Sequence, residues 1–161
     1  MVVSPFLKPL YELLYPQGVK QFSKEVLNLL GLEALAIFWM DDGSVVDSKY
    51  CTNRGILNTY TPLDETEIIC EWLNNLTGVN SVPYLDGNSY KIRINASEMP
   101  EFIYHVRPYT HSSMRKKVTL KYSHYNTKSK RVFESSLDIP FVDDGDKTAR
   151  ARNSTFTGDI V

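Results

Sequence analysis

The sequence predicts an α+β domain built on an antiparallel sheet, and three observations carry that reading. As far as Val106 the chain runs helix, two strands, helix, two strands, helix. Asp86-Gly87-Asn88 sits between two β-prone runs and is a hairpin signal, which makes its flanking strands antiparallel neighbours. The run Leu35-Ala36-Ile37-Phe38-Trp39-Met40 is apolar on nearly every side and ends in Asp41-Asp42-Gly43. Such a helix must be buried all round or packed against a partner helix.

In chain order, Phe6, Leu10, Leu13 and Leu14 give helical spacing over Pro5 to Leu14, and Pro16-Gln17-Gly18 stops it. Ser23 caps a short helix through Val26, Leu29 and Leu30, closed by Gly31. The helix from Glu33 to Asp42 ends at Gly43, and Val45 to Asn58 reads as a strand pair joined through Asp47 to Arg54. Thr61 suits an N-cap, with Pro62 at the first helical position and Asp64 completing a capping box. Ile68, Ile69, Trp72, Leu73 and Leu76 form the apolar stripe of that helix, which Gly78 ends. Val82 to Leu85 and Ser89 to Asn95 are the next strands. In the second, Tyr90, Ile92 and Ile94 point to a core while Lys91, Arg93 and Asn95 point to water or a polar ligand. Ser97 caps a helix through Phe102, Ile103 and Val106. Lys117 to Tyr122 and Arg131 to Leu137 suggest an added hairpin around Asn126-Thr127-Lys128. Residues 143–161 are polar and aperiodic, as in a flexible terminus or an arm against a neighbour.

Length and composition bound the answer. At 161 residues and 42% hydrophobic, the chain has enough apolar surface for one globular domain. Cys51 and Cys70 give neither metal-ligand spacing nor a disulfide framework, and Cys70 reads as an inert core thiol. No run is long enough to span a membrane and no signal peptide is seen, so an intracellular, reducing location (cytoplasm or organelle matrix) is expected. The glycosylation-like triplets at Asn75, Asn95 and Asn153 are then chance matches.

The net charge of −1 argues mildly against a nucleic-acid partner, but its distribution argues for one. From Phe102 to Phe133 the chain holds eight of its eighteen basic residues, all three histidines and no carboxylate. A local basic field of that density attracts phosphate despite a neutral total, because charges beyond about 8 Å are screened.

The nonapeptide Leu35 to Gly43 resembles the LAGLIDADG motif of homing endonucleases, in the variant that reads LAI(W/F)xMDDG. The segment Pro9-Leu10-Tyr11-Glu12-Leu13-Leu14-Tyr15-Pro16-Gln17-Gly18 is similar to the stretch before the second motif in the two-repeat branch of that family. Pro62 to Leu73 and Tyr90 to Ser113, with Arg107-Pro108-Tyr109 and His111-Ser112-Ser113-Met114, follow the same order. The resemblance covers residues 1–118 and implies an αββαββα endonuclease domain whose sheet forms a saddle on DNA. The resemblance does not reach residues 119–161, which are expected to form a C-terminal extension.

That resemblance implies a partner and a chemistry. The major groove admits a two-stranded ribbon, so Lys91, Arg93 and Asn95, with Arg54 and Asn58 behind them, are the expected base-reaching residues. Arg115 and Lys121 add basic contacts. The eighth motif position, Asp42, is the expected ligand of Mg2+ or another divalent cation, with Asp41 supporting. Hydrolysis of a phosphodiester needs charge neutralised on the attacking and leaving oxygens, which divalent metals accomplish. A glutamine that often holds the metal-bound water in the family aligns with Thr59, leaving Asn58 or Tyr60 as substitutes. A family lysine aligns with Ser113, leaving His111, Lys116 or Lys117 to stabilise the phosphoryl charge. Ile37 stands where the better-known motif has glycine, while Ala36 keeps a small residue for a helix crossing.

One motif per chain implies either a homodimer of about 37 kDa, twice the 18.4 kDa chain, or an absent first half. The expectation is therefore a site-specific, metal-dependent DNA endonuclease of the homing type acting as a dimer. The alternative is a catalytically inactive nucleic-acid-binding relative, an intron maturase or a DNA-binding regulator.

Overall fold

A computed structural model describes residues 8–48, 51–120 and 141. Helix α1 spans Lys8–Leu14 and is followed by a 3-10 turn at Pro16–Gly18. The short helix α2, Lys24–Leu27, starts where the Val26 amide donates to Ser23 Oγ at 3.3 Å, the cap read from the sequence. Helix α3 covers Leu32–Asp42 and runs directly into β1, Gly43–Ser48, which pairs with β2, Cys51–Thr61. Helix α4, Leu63–Thr77, leads to the β3 (Ser81–Asp86) and β4 (Ser89–Ile94) hairpin. Helix α5, Met99–Val106, and 3-10 segments at Arg107–Tyr109 and Ser112–Val118 follow. The sheet is antiparallel with strand order β1-β2-β4-β3, so the two longer-range partners, β2 and β4, occupy its centre.

Register explains the two faces. Leu57 of β2 opposes Ile92 of β4, and Gly55 opposes Ile94. Leu57, Ile92 and Ile94 are fully buried beneath α3, α4 and α5, in one cluster with Leu35, Trp39, Ile69, Leu73, Phe102 and Ile103. The alternate residues, Arg54, Ile56, Lys91 and Arg93, lie on the opposite face, which no helix among the described residues covers. The alternation expected for β4 therefore holds, with Asn95 exposed one residue past the strand end.

Several boundaries differ from expectation. Arg54 belongs to β2 rather than to a connection, because β1 and β2 are longer than their apolar cores suggest. Pro62, not Thr61, occupies the N-cap of α4, and no side chain caps it; Thr61 Oγ1 instead meets Thr66 Oγ1 at 2.9 Å. Glu98, not Ser97, is the N-cap of α5, whose first amides turn back onto the Asn95 carbonyl. Gly31 opens α3 rather than closing α2. Gly78 ends α4 in the left-handed conformation, φ 69°, as expected of a C-terminal glycine. Lys117 and Val118 belong to a 3-10 segment, not a strand, because Val118 turns inward to join the core. The proposed hairpin around Asn126-Thr127-Lys128, the tail from residue 143, and Lys121 lie outside the described residues. Among the described residues no helix is long and apolar enough to cross a membrane.

Candidate active site and nucleic-acid interface

The site begins with Trp39. Its indole is fully buried, edge-on to Phe102 with ring centres 4.7 Å apart. A buried indole N–H needs an acceptor, and Nε1 donates to the Lys117 carbonyl at 2.8 Å. The ring lies against two glycines. A Cβ at Gly43 would collide with the Trp39 ring and carbonyl, and one at Gly55 with Met99 Sδ. Both positions thus demand glycine by close approach, and the motif helix is pressed onto β1 and β2 at its acidic end.

The last carbonyls of a helix have no partner within it. Here two side chains supply donors: Asn58 Nδ2 reaches the Asp42 carbonyl at 2.9 Å, and Lys117 Nζ reaches the Asp41 carbonyl at 2.8 Å. An ammonium at this end also complements the helix dipole, which two adjacent acids oppose. The Asp41 carboxylate is exposed and that of Asp42 half-buried. Neither makes an ion pair with any described residue. Among the described residues no group of three or more His, Cys, Asp or Glu side chains is placed to hold a metal ion.

Asn58 reaches the helix because β2 is irregular there. Pairing with β4 runs from Leu57 opposite Ile92 to Thr61 opposite Tyr90, and the intervening residues form a bulge. Bulges re-aim side chains and concentrate near functional sites. Tyr60 at the bulge adopts φ 54°, a strained backbone for a bulky residue, and is 72% exposed. Thr59 donates its hydroxyl to the Tyr90 carbonyl at 3.2 Å. The structure thus ties Thr59 across the sheet and places Asn58 at the acidic helix end. Of the two lysine candidates, Lys117 lies at that end while Lys116 is exposed beyond it. His111 pairs with Ser113, Nδ1 to Oγ at 2.8 Å, and its amide lies 3.3 Å from Met40 Sδ.

On the open face the basic residues are not equivalent. Lys91 is held by Asp86 at 2.6 Å, a bond that raises the affinity of its amine for the proton. Arg54 and Arg93 make no ion pair with any described carboxylate. Away from the sheet, Arg107 and Arg115 both stand over the Phe141 ring, 4.4 and 5.6 Å from its centre. Burial, then the neighbouring Arg115 charge, lowers the pKa of Arg107.

Residues 1–102 match the LAGLIDADG DNA endonuclease family. The chain belongs to that family. The LAGLIDADG fold is equally visible in a solved structure, the homing endonuclease I-WcaI bound to its DNA recognition sequence. The match has a TM-score of 0.64 at 23% identity and covers 71% of this chain and 53% of the other. This LAGLIDADG chain therefore spans about half the length of that protein. No curated protein matches the sequence.

One side of the motif helix is exposed. Leu35, Ala36 and Trp39 are buried, but Ile37 is 63% exposed, and the exposed Glu33 and Asp41 share its side of the helix. Spacings of four residues align these on one stripe. At its N-terminal end the stripe borders a cavity of about 390 Å³ lined by Leu29, Leu32, Ala34 and Tyr109.

Proposed function

We propose that the chain works as one half of a metal-dependent, site-specific DNA endonuclease of the homing type, a second copy supplying the other half. The observation that carries this reading is Ile37, 63% exposed on the open side of α3, below two carboxylates that make no ion pair among the described residues. An apolar helix face in water costs stability until a second such face covers it. Joining two α3 helices along Ile37 brings two acidic tips to one point, beside two uncovered sheet faces.

The residues fit a divalent cation. Mg2+ takes one or two carboxylates together with phosphate oxygens and retained water, so Asp42 from each half suffices without a protein cage. When bound, the metal neutralises charge on the attacking and leaving oxygens of the phosphodiester. Asp42 holds it and Asp41 supports that charge from the rim. Asn58 and Lys117 fix the carbonyls at the helix end and so keep both carboxylates aimed outward, while the Lys117 ammonium adds positive charge beside the scissile phosphate. Arg54, Arg93 and Asn95 line the face that meets the duplex, and Lys91 joins them by exchanging Asp86 for DNA. Arg115, Lys116 and Lys121 contribute charge along the backbone.

The test is cleavage of duplex DNA with and without Mg2+. Asp42→Asn is expected to abolish metal-dependent cutting while leaving duplex affinity within a few-fold of wild type. Cutting at the wild-type rate by that variant removes Asp42 from the site. Tight binding without any cutting by the wild-type chain would point to the non-cleaving reading, a relative that binds nucleic acid as a splicing helper or regulator. The bond from Thr59 to the Tyr90 carbonyl, at the position of the family's water-holding glutamine, favours that second reading.

A further inference from the structure

Arg93 differs from every other cation on the open face. It lies on β4, one of the two central strands, directly opposite Ile56 of β2 and Val82 of β3. Directly opposed residues in an antiparallel sheet project on the same side, so an aliphatic side chain stands on each flank of the guanidinium. Tyr84, one step along β3, places its ring 5.9 Å from the guanidinium carbon. Among the described residues Arg93 Nε is the one buried side-chain nitrogen or oxygen with no hydrogen-bond partner. Its neighbour Lys91 is already satisfied by Asp86.

A guanidinium braced on three sides, its Nε unpartnered among the described residues, is prepared for a planar acceptor that takes two parallel N–H bonds. On double-stranded DNA two acceptors have that form, a phosphate and the O6/N7 edge of guanine. The position on a central strand favours the base: the middle of a ribbon laid in a groove faces base edges, and its rim faces the backbone. The aliphatic flanks favour it again. Ile56 and Val82 gain from the C5-methyl of thymine and would only desolvate a phosphate.

We propose that Arg93 reads one guanine in the target duplex, Tyr84 holding its plane and Ile56 and Val82 favouring thymine at the adjoining base. This rests on the endonuclease reading in needing the open face to meet DNA, and in nothing else; catalysis is not required.

The experiment is selection of bound duplexes from a randomised double-stranded library by the full 161-residue chain, followed by sequencing. The wild type is expected to enrich a position that is guanine, preferred roughly 10- to 100-fold over the other bases. Arg93→Ala removes that preference and leaves the other enriched positions in place. Arg93→Lys is the sharper variant: it keeps the charge but loses the two-pronged geometry, so duplex affinity stays within a few-fold while the guanine preference disappears. An unchanged base preference, with affinity reduced evenly across sequences and a salt slope lowered by about 1, assigns Arg93 to a phosphate and overturns the inference. A wild-type chain that retains no duplex overturns the DNA reading itself, a different failure from retention with no guanine signal.

Discussion

Trp39 and Gly43 set the acidic tip at the scale of single residues. The indole fills the space a Cβ at Gly43 would need, and its N–H secures the segment that carries Lys117. Gly43→Ala is therefore expected to destabilise the fold by about 1–3 kcal/mol, the usual cost of overpacking a filled core, read from denaturant unfolding. Cys70 makes a separate prediction. Burial, opposed by a hydrogen bond with Ser81 and assisted by the Glu67 charge, pushes its thiol up to about 11. A raised folded-state pKa means the unfolded chain ionises first, so this group's contribution is intact below pH 9 and is lost as pH climbs toward 11. Unfolding midpoints should fall across that window in wild type and fall less in Cys70→Ala. The same thiol should resist alkylation at neutral pH until the protein unfolds. The sequence showed Cys70 as a core thiol and Asp42 at a helix end because local periodicity reports burial and chain direction. It did not show that Asn58 meets the Asp42 carbonyl, since that contact spans sixteen residues and depends on an irregular strand.

The elements divide by how local their causes are. Helices α3 and α4 and the β3–β4 hairpin were legible because apolar stripes, glycine stops and a turn tripeptide lie within each segment. The caps of α4 and α5 were misplaced by one residue, because Thr61 and Ser97 have the right side chains but pair elsewhere or sit one step early. The bulge in β2 left no mark in sequence: Thr59 and Tyr60 are ordinary β formers, and the register slip arises from pairing with β4. Removing a bulged residue's role is testable. Asn58→Ala strips one donor from the helix end, and about 1 kcal/mol of stability should go with it, together with a larger fall in cleavage rate than in duplex affinity. If rate and affinity fall equally, Asn58 is a DNA contact and no more. The exposed stripe of α3 predicts a second outcome at this scale. Ile37→Asp leaves the folded chain intact, as judged by circular dichroism, and shifts its mass in solution toward 18.4 kDa.

At the scale of the whole molecule, the chain is a LAGLIDADG-family fold with its cations unevenly placed. Among the described residues it offers one four-stranded sheet and one motif helix ending in Asp41 and Asp42, and it covers 53% of a homing endonuclease of the same fold. Its net charge of −1 hides a basic C-terminal third. Duplex binding should therefore weaken steeply between about 50 and 200 mM salt, with a slope that counts phosphate contacts. Nothing in the composition pointed to this; only the clustering of cations did. The central claim is that two chains each contribute an Asp42 to one cutting centre. It is tested most directly by titrating Asp42→Asn protein into wild type at fixed total concentration, allowing the halves to exchange, and measuring metal-dependent double-strand scission. Two cooperating carboxylates predict activity falling as the square of the wild-type fraction, to about a quarter in an equal mixture. A linear decline, to half at that point, would contradict the account.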